Sequence, residues 1–274
     1  MARYSDCIGL GIAGNFALHL QQAGELEDFK EIVTDDVNGP KGMFPFYLPH
    51  CTNALGCYPI ASESLILPQE EVNVQAEPEV ALICDLAYEQ GLLLSITPTH
   101  FAAYNDASIR KEGAEKISEK KNWGEASKGL SETLIEIDTF TPGGMMDRYR
   151  IASFLRRDGS IYRYGEDVAL SGYSYFHEKL LQWMTTQINT QKDVGPLEPL
   201  REYIATCKFP SKAVISIGAT RYTEYGEYTY LQQGDEVIVV LYNETTFSPD
   251  EILKRVEQHI VQVPGVSALI QKVV

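Results

Sequence analysis

Two glutamates stand either side of one proline in VQAEPEVALICDL, residues 74–86. Residues two apart in an extended chain share a face, so Glu77 and Glu79 lie side by side. Like charges that close cost free energy unless a cation or a proton sits between them. On spacing alone the pair also suits an exposed strand face. Two features point to a site instead. The pair leads directly into VALICDL, which reads as a buried strand. A further carboxylate, Asp106, stands in the polar stretch AAYNDASIRKEG, followed by Arg110. Three carboxylates with no cysteine or histidine among them suit a hard cation, Mg²⁺, Mn²⁺ or Ca²⁺. Spacing alone does not bring Asp106 to the glutamates.

The elements that must position these residues are mostly strands. CIGLGIA, EVALICDL, LLLSIT, TLIEIDTF, YRIASFL, AVISIGA and EVIVVLY are apolar and rich in β-branched residues. Asp158–Gly159 signals a hairpin, and Gly234–Asp235 a turn feeding a strand. Helices are fewer. GNFALHLQQAGELEDFK has helical composition with a break near Gly24. SYFHEKLLQWMTTQINTQ places Phe176, Leu180, Leu181 and Met184 on one stripe. FSPDEILKRVEQHI opens with Ser248 as N-cap, Pro249 at the first helical position and Glu251 closing a capping box. Strands do not alternate regularly with helices. The expected fold is therefore α+β and mostly β, largely antiparallel, with peripheral helices.

The chain has 274 residues and is 44% hydrophobic, long enough to bury a large core. Its formal net charge of -15 argues against a nucleic-acid backbone or an anionic membrane as partner. Five scattered cysteines form no CxxC pair, so neither a zinc site nor a disulfide framework is indicated. The N-terminal stretch lacks the pattern of a secretory signal, and no run has the length of a membrane-spanning helix. The expectation is a soluble, cytoplasmic protein.

Four segments, in order, resemble the fumarylacetoacetate hydrolase superfamily. IGLGIAGNFALHLQQAG is similar to its opening strand and Asn-Tyr-x-x-His-x-x-Glu segment. LILPQEEVNVQAEPEVALI is similar to its Glu-x-Glu metal pair. YNDASIRKEG, with NWGEASKGLSE after it, is similar to its Asn-Asp-x-Ser-x-Arg segment and following lysine. AVISIGATRYTEYGEYTYLQQGDEVIVVLYN is similar to its Thr-Gly-Thr-Pro segment and Leu-x-x-Gly-Asp turn. Each motif is weak alone, and their shared order is what is specific.

The resemblance implies a mixed β-sandwich roll with peripheral helices, usually a homodimer. It implies a small N-terminal segment, residues 1–60, carrying the His19 helix, and a metal-binding catalytic core over 61–274. Glu77, Glu79 and Asp106 would hold Mg²⁺, or Mn²⁺ or Ca²⁺. Arg110, Lys128 and Thr220 would bind a small anionic substrate. His19, with Gln22 or Glu25 beside it and Lys128 nearby, would carry the catalysis. The implied activity is metal-dependent hydrolysis or lysis of a 2-oxo or 1,3-dioxo acid, through C–C cleavage and a metal-stabilised enolate.

Several positions depart from that pattern. Gln22 stands where the family often has a glutamate that, with His19, activates water. Glutamine can orient an imidazole but cannot stabilise its charge, and Glu25 replaces it only if the helix ends near Gly24. Gly113 stands where some members have a substrate-binding glutamine. Ala219 stands at the family threonine, with Thr220 one position on. The region 142–210 is unlike the common members, and its aromatics Tyr164, Tyr173, Tyr175 and Phe176 read first as core. Decarboxylation or tautomerisation on the same site needs no activated water and is the nearest alternative. A binding protein that keeps the metal site without catalysis is the alternative of another class.

Overall fold

A computed structural model describes residues 3–25, 29, 30, 32, 36, 38–111 and 113–274. Two sheets carry the fold. The larger has eight strands, in the order Gly42–Tyr47, Ile8–Ala13, Lys212–Ser216, Pro78–Glu89, Leu92–Asn105, Lys128–Leu130 and Ile60–Ala61, with Ile135–Glu136 added on Leu92–Asn105. The smaller runs Ser160–Ala169, Tyr149–Arg157, Glu236–Asn243, Ser267–Val273 and Ser64–Leu65. Asn73–Gln75 and Ser108–Arg110 form a separate antiparallel pair. Most pairings are antiparallel, as expected. Among the described residues three pairings are parallel, including Ile8–Ala13 with Lys212–Ser216.

The main core contains Leu10, Leu82, Phe101 and Ile215 of the large sheet with Ile151, Val239 and Leu269 of the small one. A second cluster, with Phe154, Ile238 and Val240, covers the other face of the small sheet beneath Ile252 and Val256. Both faces of Glu236–Asn243 are thus buried. That is why EVIVVLY reads as a continuous apolar run rather than an alternating one. The helix His177–Thr190 buries Leu180, Met184 and Ile188, close to the expected stripe. The capping box at Ser248 and Glu251 forms as expected. Tyr164 and Tyr173 are core residues, and Tyr175 and Phe176 pack partly buried against it.

Some elements differ from the sequence reading. Only Ile135–Glu136 of TLIEIDTF is a strand. Among the described residues of the stretch 14–30 the α-helix covers His19–Gln22, and 26–28 lie outside the described residues. Gly24 takes φ +71° and ends that helix, and the Glu25 N–H then bonds the Leu20 carbonyl at 2.9 Å. The strand Gly42–Tyr47 was not anticipated, because Pro45 interrupts it. As the edge of the large sheet it tolerates the missing N–H. Ile8–Ala13 and Gly42–Tyr47 belong to the same sheet as Pro78–Glu89.

Candidate metal centre

The hairpin of Pro78–Glu89 and Leu92–Asn105 builds the centre. Its register pairs Pro78 with Asn105 and Glu79 with Tyr104. Beyond the last pair the Asp106 N–H bonds the Glu77 carbonyl at 2.9 Å, and the Glu77 N–H bonds Asn105 Oδ1 at 3.1 Å. This brings Asp106 to the glutamates, which spacing alone could not show. Oxygens of Glu77, Glu79 and Asp106 lie within 4.8 Å of one another, and all three residues are buried. Pro78 opens its strand, and its carbonyl accepts the Thr220 N–H at 3.2 Å.

Four cations surround the carboxylates. Lys121 Nζ lies 2.6 Å from Glu77 Oε2 and 2.7 Å from Asp106 Oδ2. Lys128 Nζ is 3.2 Å from Asp106 Oδ1 and also donates to the Ala107 carbonyl. Arg110 spreads its guanidinium over Gln75 at 2.7 Å, Glu25 at 3.0 Å, Glu77 at 2.8 Å and the Tyr222 hydroxyl at 3.1 Å. Lys120 reaches Glu25 at 3.1 Å. Between them these four cations pair with Glu25, Glu77 and Asp106.

The ionisation equilibria follow from that layout. Burial pushes the Glu77 carboxyl up, but Lys121 and Arg110 outweigh it and hold Glu77 well below the usual range. Glu79 goes the other way: burial, and then Asp106, push it well above its ordinary value. The Gly218 N–H donates to Glu79 Oε2 at 2.9 Å. Gly218 takes φ +112°, and a Cβ there would come within 3.0 Å of the Asn15 Cβ, so glycine suits the position. Burial lowers Lys128 to about 8, with Asp106 opposing the shift.

His19 is buried, and its Nδ1 lies 2.9 Å from the Thr220 carbonyl oxygen. A carbonyl only accepts, so Nδ1 carries the proton and Nε2 presents its lone pair. Nε2 faces Glu77 Oε2 at 4.0 Å. Burial lowers the imidazole pKa from 6.5, Glu77 opposing, so the ring is neutral at neutral pH. Asn15, also buried, ties this region together. Its amide donates to the carbonyls of Tyr175 and Ile217, and its oxygen accepts the Tyr175 N–H.

Three expected roles land differently. Gln22 does not orient the imidazole: it exchanges hydrogen bonds with the Tyr222 backbone and donates to Glu227. Thr220 turns its hydroxyl to the Pro78 carbonyl at 3.4 Å, and its own carbonyl holds His19. Glu25 pairs with Arg110 and Lys120. Lys121, which touches two of the three carboxylates, was missed. It lies in SEKKNWG, a polar run that looks like a solvated helix end.

Two cavities adjoin the centre. One of about 10 Å³ is bordered by His19, Glu77, Glu79, Lys121 and Ala219. That is about the space one water needs. A second, of about 460 Å³, is bordered by Glu25, Arg110, Lys111, Gly113, Lys120 and Tyr230. Glu25 borders both, and the larger cavity is rich in cations, which favours an anion.

The donor chemistry fits a hard divalent ion. The set is all oxygen, anionic and close enough to share one cation. Fold and centre together define the class: the chain has the fumarylacetoacetate hydrolase fold, in a divergent form. Among solved structures it is similar to 2-keto-3-deoxy-D-arabinonate dehydratase complexed with magnesium and 2,5-dioxopentanoate, at 15% identity and TM-score 0.54, over 97% of this chain and 72% of that one. A fumarylacetoacetate hydrolase family protein from Yersinia pestis CO92 gives 12% identity and TM-score 0.53, over 97% and 93%. The 5-carboxymethyl-2-hydroxymuconate delta-isomerase from Mycobacterium smegmatis gives 14% and 0.52, over 97% and 78%. Comparison with curated proteins finds no match. The chain belongs to a family of unknown function, DUF5718, which matches residues 25–273. That span includes the three carboxylates and excludes His19 and Gln22. Among the described residues no helix is long and apolar enough to cross a membrane.

Proposed function

We propose that this protein is a divalent-metal-dependent enzyme that cleaves a C–C bond beside a carbonyl of a small 2-oxo or 1,3-dioxo acid. The observation that carries this is the buried Glu77–Glu79–Asp106 set, bordered by His19 and a cation-lined cavity. When bound, Mg²⁺ supplies Lewis acidity to a carbonyl oxygen. The side chains do the rest. Arg110 and Lys128 hold the Glu77 and Asp106 carboxylates in ion pairs. Lys111 and Lys120 draw the anionic substrate to the larger cavity. His19 Nε2 and Glu77 Oε2, 4.0 Å apart, are both acceptors, and a water donating to both fits between them. His19 then takes its proton, with the Thr220 carbonyl fixing the ring and its Nδ1–H tautomer.

A second reading is decarboxylation or tautomerisation. Gln22 favours it, because it leaves His19 without an acidic partner three residues on. The two readings part on one assay, in which acylpyruvates and oxaloacetate are given to wild type and His19→Ala with Mg²⁺ or Mn²⁺. Hydrolysis through His19 predicts metal-dependent turnover that drops about 10²–10⁴-fold in the variant. The wild-type rate should also fall with pH, once pH passes below the lowered imidazole pKa and Nε2 is protonated. Equal rates would remove His19 and favour the second reading. No turnover with any substrate would contradict both and favour a ligand-binding protein without catalysis.

A further inference from the structure

Both oxygens of Glu77 and both of Asp106 already face a cation. Arg110 faces Glu77 Oε1 and Lys128 faces Asp106 Oδ1. Lys121 faces the remaining oxygen of each, and its side chain is 3% exposed. Arg110 and Lys128 each pair with one member of the set. Lys121 differs, because its one ammonium bridges two members of the proposed ligand set. It also borders the small cavity with Glu77 and Glu79, and its Nζ lies 5.2 Å from the Phe44 ring centroid. A divalent ion on the same oxygens would sit against that ammonium, and two cations so close repel strongly in a buried site.

We propose that Lys121 is a built-in competitor for the metal. Its ammonium holds the cation position between Glu77 and Asp106, and a divalent ion enters only as the ammonium leaves. The centre thus exchanges a salt-bridged resting form for a metal-loaded one, and Lys121 sets the metal concentration at which it does so. This rests on the reading of Glu77, Glu79 and Asp106 as metal ligands.

The test is Mn²⁺ binding to the full chain, followed by calorimetry and by loss of the free-ion electron paramagnetic resonance signal. Wild type is compared with Lys121→Met and Lys121→Gln. Where one form of a site is blocked, apparent affinity falls by the fraction blocked, so the variants should bind Mn²⁺ at least about tenfold more tightly. Equal or weaker binding in folded variants, with wild type still binding, would overturn the competitor role and leave the metal reading standing. No binding by any of the three would overturn the metal reading and the competitor role together. If neither variant folds, acylation of the Lys121 amine in wild type decides. Labelling that rises with Mn²⁺ supports displacement, and labelling unchanged while Mn²⁺ binds overturns it.

Discussion

Asp106→Ala is expected to destabilise the protein, with or without metal, by about 3–5 kcal/mol, the range for removing one partner of a buried ion pair. Asp106 is 0% exposed and faces both Lys121, at 2.7 Å, and Lys128, at 3.2 Å. Without it two buried ammonium groups lose an anionic partner. Lys128 is also fully buried, and the Asp106 charge is the largest influence opposing its loss of a proton. The same change removes one of the three carboxylates, so any Mn²⁺-dependent rise in melting temperature should vanish. Urea melts at neutral pH measure the first effect, and thermal melts with and without Mn²⁺ measure the second. A loss under about 1 kcal/mol would mean that the cluster is hydrated and open rather than buried.

Arg110→Met should cost a similar amount, about 3–5 kcal/mol, for a different reason. All three guanidinium nitrogens are bonded to the protein: Nε to Gln75, one terminal nitrogen to Glu25 and the other to the Tyr222 hydroxyl and Glu77. Burial, Glu77, Tyr222 and Glu25 all bear on its ionisation, and the anionic groups win, holding it firmly charged. Arg110→Lys should recover only part of the loss, since a point charge cannot reproduce the planar fork. The measurement is again urea unfolding. If Arg110→Met were as stable as wild type and raised only the KM, the guanidinium would serve the substrate, as the sequence resemblance implies, rather than the cluster.

Much of the centre is legible from local rules. The period of two puts Glu77 and Glu79 on one face, and the order of the motifs brings in Asp106, Arg110 and Lys128. The break at Gly24 follows from a glycine placed to end a helix. What escapes is tertiary. Whether Thr220 offers its hydroxyl or its carbonyl depends on the path of residues 217–220 past Pro78 and His19. Gln22 bonds a backbone two hundred residues away, which no local pattern encodes. Lys120 and Lys121 look like ordinary solvated charges, and only the packing of Ser118–Lys121 against the carboxylates buries them. TLIEIDTF alternates as a strand should, yet all but two of its residues lie outside one.

The central claim is that Glu77, Glu79 and Asp106 hold a divalent cation. Anomalous scattering from crystals grown with Mn²⁺ tests it most directly. The expected result is one buried peak in bonding contact with oxygens of all three residues, with Lys121 Nζ displaced from Glu77 and Asp106. Absence of a peak there, with Lys121 still bridging those carboxylates at saturating Mn²⁺, would contradict it.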